Sequence, residues 1–258
     1  MRARTLVAAG LAAVLLAGCA QSVDPIERLG KKAAQRVGPY GPDRADGRPY
    51  RHWGLPSALP APPRVAARLA VRRGGLPPVV RRVGTSDKVV FLTYDDGAER
   101  DPRFVDMVRE LRLPVTMFLT DSVVGPGYGH FARLKSVGAS IQNHTLDHPA
   151  LRGLPYPGQR AEICGQQEKV RSRFGIRPRL LRPPHGTYDR MTLRAAADCG
   201  LSAVVLCSVS AEGGVPERPL RAGDIVSVAS GEATGPTLRL LREIQRRGLT
   251  VARLEDYL

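Results

Sequence analysis

The chain has 258 residues, 43% of them apolar, which suits one sizeable domain with extensions and excludes a chain too polar to build a core. Its 39 lysines and arginines against 24 acids leave a formal charge of +15. That charge alone would suit nucleic acid, but the amino terminus marks the chain for export, so no nucleic-acid role is expected. Anionic envelope polymers and acidic headgroups are the expected neighbours, the other reading being a solvated basic surface with no chosen partner.

The first segment, MRARTLVAAGLAAVLLAGCAQS, has Arg2 and Arg4 and then an apolar run from Leu6 to Ala17, too short to span a membrane comfortably. Residues 1–18 read as a signal peptide. The ending Leu16-Ala17-Gly18-Cys19 resembles a bacterial lipobox, which implies cleavage before Cys19, lipid on its sulfur and anchoring at the extracytoplasmic face of the cell membrane. Residues 19–87 read as a basic spacer rich in proline and glycine: a short basic helix is expected in DPIERLGKKAAQRV, and 39–63 carry most of the prolines. Trp53, the one tryptophan, gives the spacer a place to dock, and His52 beside it carries no signal. Residues 64–87 are basic and without a clear period.

From Lys88 to Leu258 the pattern becomes that of a folded domain. VVFLTY (89–94) is a continuous apolar run, hence a buried strand, and it ends in Asp95-Asp96-Gly97. Asp101-Pro102 opens a helix running to about Leu113. VTMFLT (115–120) is a second buried strand. A helix near 129–137 follows, with His130 expected at its surface or as a cap. ASIQNH (139–144) is a strand, about 158–174 a long helix, RLLR (179–182) a strand, and Asp189 starts a helix to Asp198. LSAVVLCS (201–208) and DIVSVA (224–229) are strands, 234–247 a helix stopped by Gly248, and TVARLE (250–255) a last strand. Seven strand-like runs alternating with helices predict an α/β fold: a distorted, incomplete (β/α)7 barrel, one unit short of eight.

No CxxC spacing supports a cysteine zinc site. Cys164 and Cys199 fall on predicted helices and can pair in an oxidising compartment, in which case their Cα atoms should stand about 4.4–6.8 Å apart. Cys207, inside an apolar run, is expected to be a buried small hydrophobe.

In parallel β/α folds ligands gather at the carboxyl ends of the strands. Three polar clusters fall there: Asp95-Asp96, His144 to His148, and Arg182-Pro183-Pro184-His185-Gly186. The two histidines, four apart, share a face if they sit on a helical turn. Two imidazoles and a carboxylate suit Zn²⁺ or a similar divalent ion with one position left for water. Thr145 follows His144 where a zinc protease would need glutamate, so the base must come from elsewhere, and Asp95-Asp96 offers two adjacent carboxylates.

Together LTYDDG (92–97), HTLDH (144–148) and RPPHG (182–186) resemble, in order and spacing, the first three motifs of the polysaccharide deacetylases, the NodB-homology or carbohydrate esterase family 4 proteins. The resemblance covers about Lys88 to the carboxyl terminus. It implies a deformed (β/α) barrel that hydrolyses acetyl groups of N-acetylated or O-acetylated polysaccharide with a divalent metal, Zn²⁺ first, Co²⁺ or Ni²⁺ as alternatives. Carried over, Asp96, His144 and His148 are metal ligands, Asp95 is the general base, and Arg182 pairs with Asp95 and holds it. The backbone N–H of His185 helps stabilise the oxyanion, and Tyr94, Pro183 and Pro184 border the substrate.

Two motifs depart from the family. The fourth is expected to hold an acid and a tryptophan, but the stretch is LCSVSAEGG (206–214), with Ser208 and Ser210 at the acid positions. The fifth is expected to end a strand with the histidine that protonates the leaving group, and GDIVSVASGE (223–232) puts Ala229 there. A positioned general acid typically contributes about 10²–10⁴-fold. Three readings follow: the chain still turns over, with Asp95 returning its proton or the His185 side chain substituting; it is an esterase, an ester being the more reactive acyl bond; or it is a glycan-binding protein that has kept fold and metal site.

Overall fold

A computed structural model describes residues 48–65, 75–229 and 231–258, all within one compact unit that runs from Ala45 to Leu258. The expected signal peptide, Cys19 and the expected basic helix lie outside the described residues.

Among the described residues the strands are β1 (Val79–Val80), β2 (Val89–Tyr94), β3 (Val115–Leu119), β4 (Ser140–Asn143), β5 (Leu180–Leu181), β6 (Ala203–Val205), β7 (Val209–Glu212), β8 (Val215–Pro216), β9 (Ile225–Val228) and β10 (Thr250–Val251). They form one sheet in the order β1-β6-β5-β4-β3-β2-β9-β7-β8, with β10 on β2. Every pairing is parallel except the hairpin β7–β8. The sheet curls, because β6 beside β5 and β7 beside β9 are separated by only residues 206–208. All six residues of β2 and all five of β3 are buried, as strands covered on both faces must be, which is why they read as unbroken apolar runs.

The helices are α1 (Pro49–His52), α2 (Pro102–Glu110), α3 (Asp121–Val124), α4 (Tyr128–Ser136), α5 (Tyr156–Phe174), α6 (Arg190–Asp198), α7 (Thr234–Arg246) and α8 (Leu254–Tyr257). Their ends follow local chemistry. Asp101 caps α2 by accepting from the Arg103 N–H, with Pro102 in the first turn. Asp189 and Thr192 make a reciprocal capping box on α6. Gly175 closes α5 in the left-handed conformation. Cys164 on α5 and Cys199 at the end of α6 form a disulfide with Cα atoms 5.1 Å apart.

Three parts differ from the sequence expectation. The last strand stops at Val251, and the chain then turns into α8, whose Leu254 and Tyr257 are buried beneath the sheet beside Phe91. The β7–β8 hairpin has too few residues to show a period. It turns at Gly213-Gly214, and a Cβ on Gly214 would lie 2.0 Å from the Pro236 carbonyl oxygen. Finally, the folded unit reaches upstream of Lys88. Trp53 and Leu55 sit in the main core, and the Trp53 indole N–H donates to Glu110 at 2.8 Å while His52 contacts the same carboxylate. Val80 and Val83 join the core beneath the sheet, and 79–83 bridges β6 to the start of β9 through Leu206 N–H to Val80 O and Val83 N–H to Gly223 O.

Candidate metal centre and its cleft

The site forms where β2, β4, β5 and β9 end. After Tyr94 the chain turns sharply: the Gly97 N–H donates to Asp95 O, and Asp96 and Gly97 hold φ of 64° and 96°. The turn sends the Asp95 and Asp96 side chains to different partners. After Asn143 the chain leaves β4 in a loop, not the helical turn expected from the four-residue spacing. Thr145 and His148 both take positive φ, 70° and 60°, and these two kinks bring the imidazoles together. The loop is held from several sides. Asn143 Oδ1 accepts from the Thr145 N–H, and Thr120 Oγ1 donates to His144 O. Glu162 on α5 accepts from the N–H groups of Leu146 and Asp147 at 3.1 and 3.0 Å.

His144 Nε2 and His148 Nε2 are 3.2 Å apart, and they lie 3.3 and 3.1 Å from one Asp96 oxygen. His144 Nδ1 is 2.7 Å from the Arg182 carbonyl oxygen, which only accepts, so Nδ1 carries the proton and Nε2 offers its lone pair. Burial and then the neighbouring His144 push the His148 imidazole below its ordinary pKa, which favours the neutral form that can ligate. A tetrahedral ion with bonds of about 2.0–2.1 Å sets its ligand atoms about 3.3 Å apart. The three donor atoms already have that spacing, so the residues fit a divalent cation.

Asp95 stands beside this cluster, with each oxygen held. Arg182 Nη1 donates to Oδ1 at 2.7 Å, and Ser227 Oγ donates to Oδ2 at 2.8 Å. Arg182 itself is buried. The same Nη1 reaches Thr93 Oγ1 at 2.7 Å, and the guanidinium lies 4.3 Å over the Phe118 ring. The cleft, about 300 Å³, is lined by these groups together with Pro183, His185, Cys207, Ala229 and Arg81. His185 lies at φ 57° in a 3₁₀ turn, Pro184–Gly186, with its exposed ring edge-on to His148 at 4.7 Å. Its backbone N–H, at the start of the turn, has no acceptor inside it.

Not every expected residue is at the cleft. Successive strand residues point to opposite faces, so Thr93 faces Arg182 while Tyr94 faces the helix layer. Tyr94 is buried against Phe104 and bonded to Thr237 at 2.7 Å, with burial lifting its phenol well above the ordinary pKa; it cannot touch substrate. Pro184 is buried away from the cleft, and only Pro183 lines it. Cys207 is a half-buried free thiol on the cleft wall rather than a core residue. His130 is buried, not at the surface. Ser208 donates to Asp224 instead of facing the site. Ser227 was missed, although a polar residue in a buried strand, DIVSVA, was the available signal.

The sequence pattern of the polysaccharide deacetylases matches residues 82–204. An uncharacterized protein of Streptomyces coelicolor is 59% identical over 203 residues, covering 74% of this chain and 82% of that one. The chain belongs to the polysaccharide deacetylase family. A chitooligosaccharide deacetylase of Bradyrhizobium is 30% identical over 118 residues; that match covers 45% of this family member and about half, 54%, of the relative. Among solved structures, a carbohydrate esterase family 4 pseudoenzyme from Bacillus anthracis superposes with a TM-score of 0.63 at 19% identity, covering 70% of this chain and 68% of that one. The curled, open sheet is thus the fold of the family. Among the described residues, the histidines lining the cleft are His144, His148 and His185, and Ala229 lies at the end of β9.

Proposed function

We propose that this chain is a metal-dependent hydrolase, held by lipid on Cys19 at the extracytoplasmic face of the cell membrane, that removes acetyl groups from N-acetylated or O-acetylated polysaccharide such as peptidoglycan or a chitin-like glycan. One observation carries the reading: Asp96, His144 and His148 present three ligand atoms at metal-binding spacing beside Asp95, a carboxylate fixed at both oxygens. Two imidazoles and a carboxylate suit Zn²⁺, with Co²⁺ or Ni²⁺ as substitutes. A divalent ion held there supplies Lewis acidity, acidifying water and polarising the acetyl carbonyl.

The chain's own groups do the rest. Asp95 takes the proton of the attacking water, and Arg182 and Ser227 keep its oxygens aimed while it does so. The His185 N–H at the rim donates to the oxygen that gains charge. Pro183 walls the cleft against the acetyl group. Asp95, now protonated, is placed to return the proton to the departing amine or alkoxide. The test is acetate release from N-acetylglucosamine oligomers, peptidoglycan and acetylated xylan by the Zn²⁺-loaded protein, with metal content measured on the same sample. Metal bound and no acetate from any of the three sinks the hydrolase reading.

A second reading, a glycan-binding protein without turnover, is favoured by Ala229 in the cleft where the family carries its general-acid histidine. The pseudoenzyme with the same fold supports its plausibility. Ala229→His separates the two. A rise of about 10²–10⁴-fold from a low but real rate marks an enzyme lacking only its acid. Acetate appearing only in the variant marks a binder with a competent groove.

A further inference from the structure

On the outer side of α7, away from the metal cleft, runs a groove of about 1050 Å³ lined by six arginines and two glutamates, in which Arg218 pairs with Asp224 and Arg246 and Arg247 pair with Glu243. Its walls are the β8 segment on one side and residues 51–56 on the other. Two of the arginines, Arg239 and Arg242, are exposed and held. Arg239 Nε donates to Gly213 O, and Arg242 Nε to Gly54 O at 3.2 Å. An arginine tied at Nε has lost most of its rotamer freedom, and its guanidinium keeps two Nη groups, the fork that grips phosphate bidentately. Beside them Val215, an apolar residue among cations, is 65% exposed.

We infer that this groove is a docking surface for the phosphates of acidic phospholipid headgroups, and that it orients the domain against the membrane that anchors it. The inference rests on the lipid-anchor reading of Cys19. Its location supports it, since Arg51 to Pro56, one wall of the groove, lies at the start of the described residues, on the Cys19 side of the domain in chain order. Charge disfavours the nearer occupants. Residues 20–47 and 66–74 are each net basic, and a second copy of this +15 chain would bring the same sign. Three features then have one use: fixed guanidinium forks for phosphate, an exposed apolar side chain at interface depth, and entry of the tether at the same place.

The test is co-sedimentation of residues 20–258, made without lipid, with vesicles of phosphatidylcholine alone and of phosphatidylcholine containing about a third phosphatidylglycerol. Binding is expected only to the acidic vesicles, and should weaken as salt rises. Arg239→Gln with Arg242→Gln should weaken it by about 25-fold, about 5-fold per arginine, while the loss of their two exposed hydrogen bonds lowers the melting temperature by no more than a few degrees. Arg160→Gln with Arg190→Gln removes the same charge on α5 and α6 and should cost less than about 3-fold. Equal losses in the two double variants would reduce the effect to net charge and overturn the proposal. So would binding to soluble polyphosphate with none to vesicles, which would assign the groove to a free anionic polymer. Lipid on Cys19 is read separately, from membrane fractionation of the chain and its Cys19→Ser form, so loss of the anchor reading is not confused with loss of the groove.

Discussion

Asp95 has each of its two oxygens bonded to a different donor, Arg182 and Ser227, which come from different strand ends. Asp96, one residue on, points elsewhere because of its positive φ. Among the described residues, four of the five non-glycine residues at positive φ are at the site: Asp96, Thr145, His148 and His185. Such conformations cost of order 1–3 kcal/mol each, so the surrounding bonds must over-determine them. This division of labour predicts that Asp95→Asn lowers acetate release by at least about 10²-fold while Zn²⁺ affinity, read by calorimetric titration, changes little. Equal loss of both would place Asp95 in the ligand set. His130 makes the opposite case, a buried polar side chain without a role at the cleft. Neither ring nitrogen has a hydrogen-bond partner, and burial, then Arg133 and Arg100, lower its pKa from 6.5 to about 4. Between those values the unfolded chain binds a proton at this position that the folded chain refuses. Its contribution to stability is therefore complete above pH 6.5 and is lost as pH falls towards 4. His130→Leu should flatten the pH dependence of urea unfolding across that window while costing less than about 1.5 kcal/mol at pH 8. An unchanged slope would assign the acid lability to other groups.

Most of the elements were legible because burial on both faces leaves β2 and β3 as unbroken apolar runs, and because Asp101, Asp189 and Gly175 mark helix ends by chemistry local to them. The residues that meet at the cleft were legible because DDG, HTLDH and RPPHG each fall at a strand end. The shape of the histidine loop was not, since spacing alone cannot tell a helical turn from a kinked loop held by a distant residue. That residue is Glu162 on α5, which accepts from two successive N–H groups between the histidines. Hydrogen bonds to a charged acceptor are worth about 1.5–3 kcal/mol, enough to fix a loop that contains two strained residues. Glu162→Ala should therefore weaken Zn²⁺ binding about 10- to 100-fold, read by competition with a chromophoric chelator. The disulfide from α5 to Cys199 keeps the helix itself in place, so the melting temperature of the metal-free variant should fall by only a few degrees. A large drop would mean that Glu162 holds the fold rather than the site.

At the scale of the molecule, the curled sheet has a seam between β6 and β9, and the chain closes it with residues that precede every family motif. Composition hid this. Residues 39–63 read as spacer because proline and glycine dominate them, and 79–83 pairs too briefly to show a period; only Trp53 signalled docking. Yet Trp53 and Leu55 are in the main core, and Val80 and Val83 complete the one beneath the sheet. Burial of such side chains contributes about 1.5–3 kcal/mol each, so the four together approach the whole stability of an ordinary domain, about 5–15 kcal/mol. A protein starting at Lys88, with the three motifs intact, should therefore fail to melt cooperatively and should expose apolar surface to a hydrophobic dye. The protein starting at Ala45 should melt in one transition. If the shorter protein instead melts within a few degrees of the longer one, residues 48–83 merely cover the sheet, and closure of the barrel must come from β7 and β9 alone.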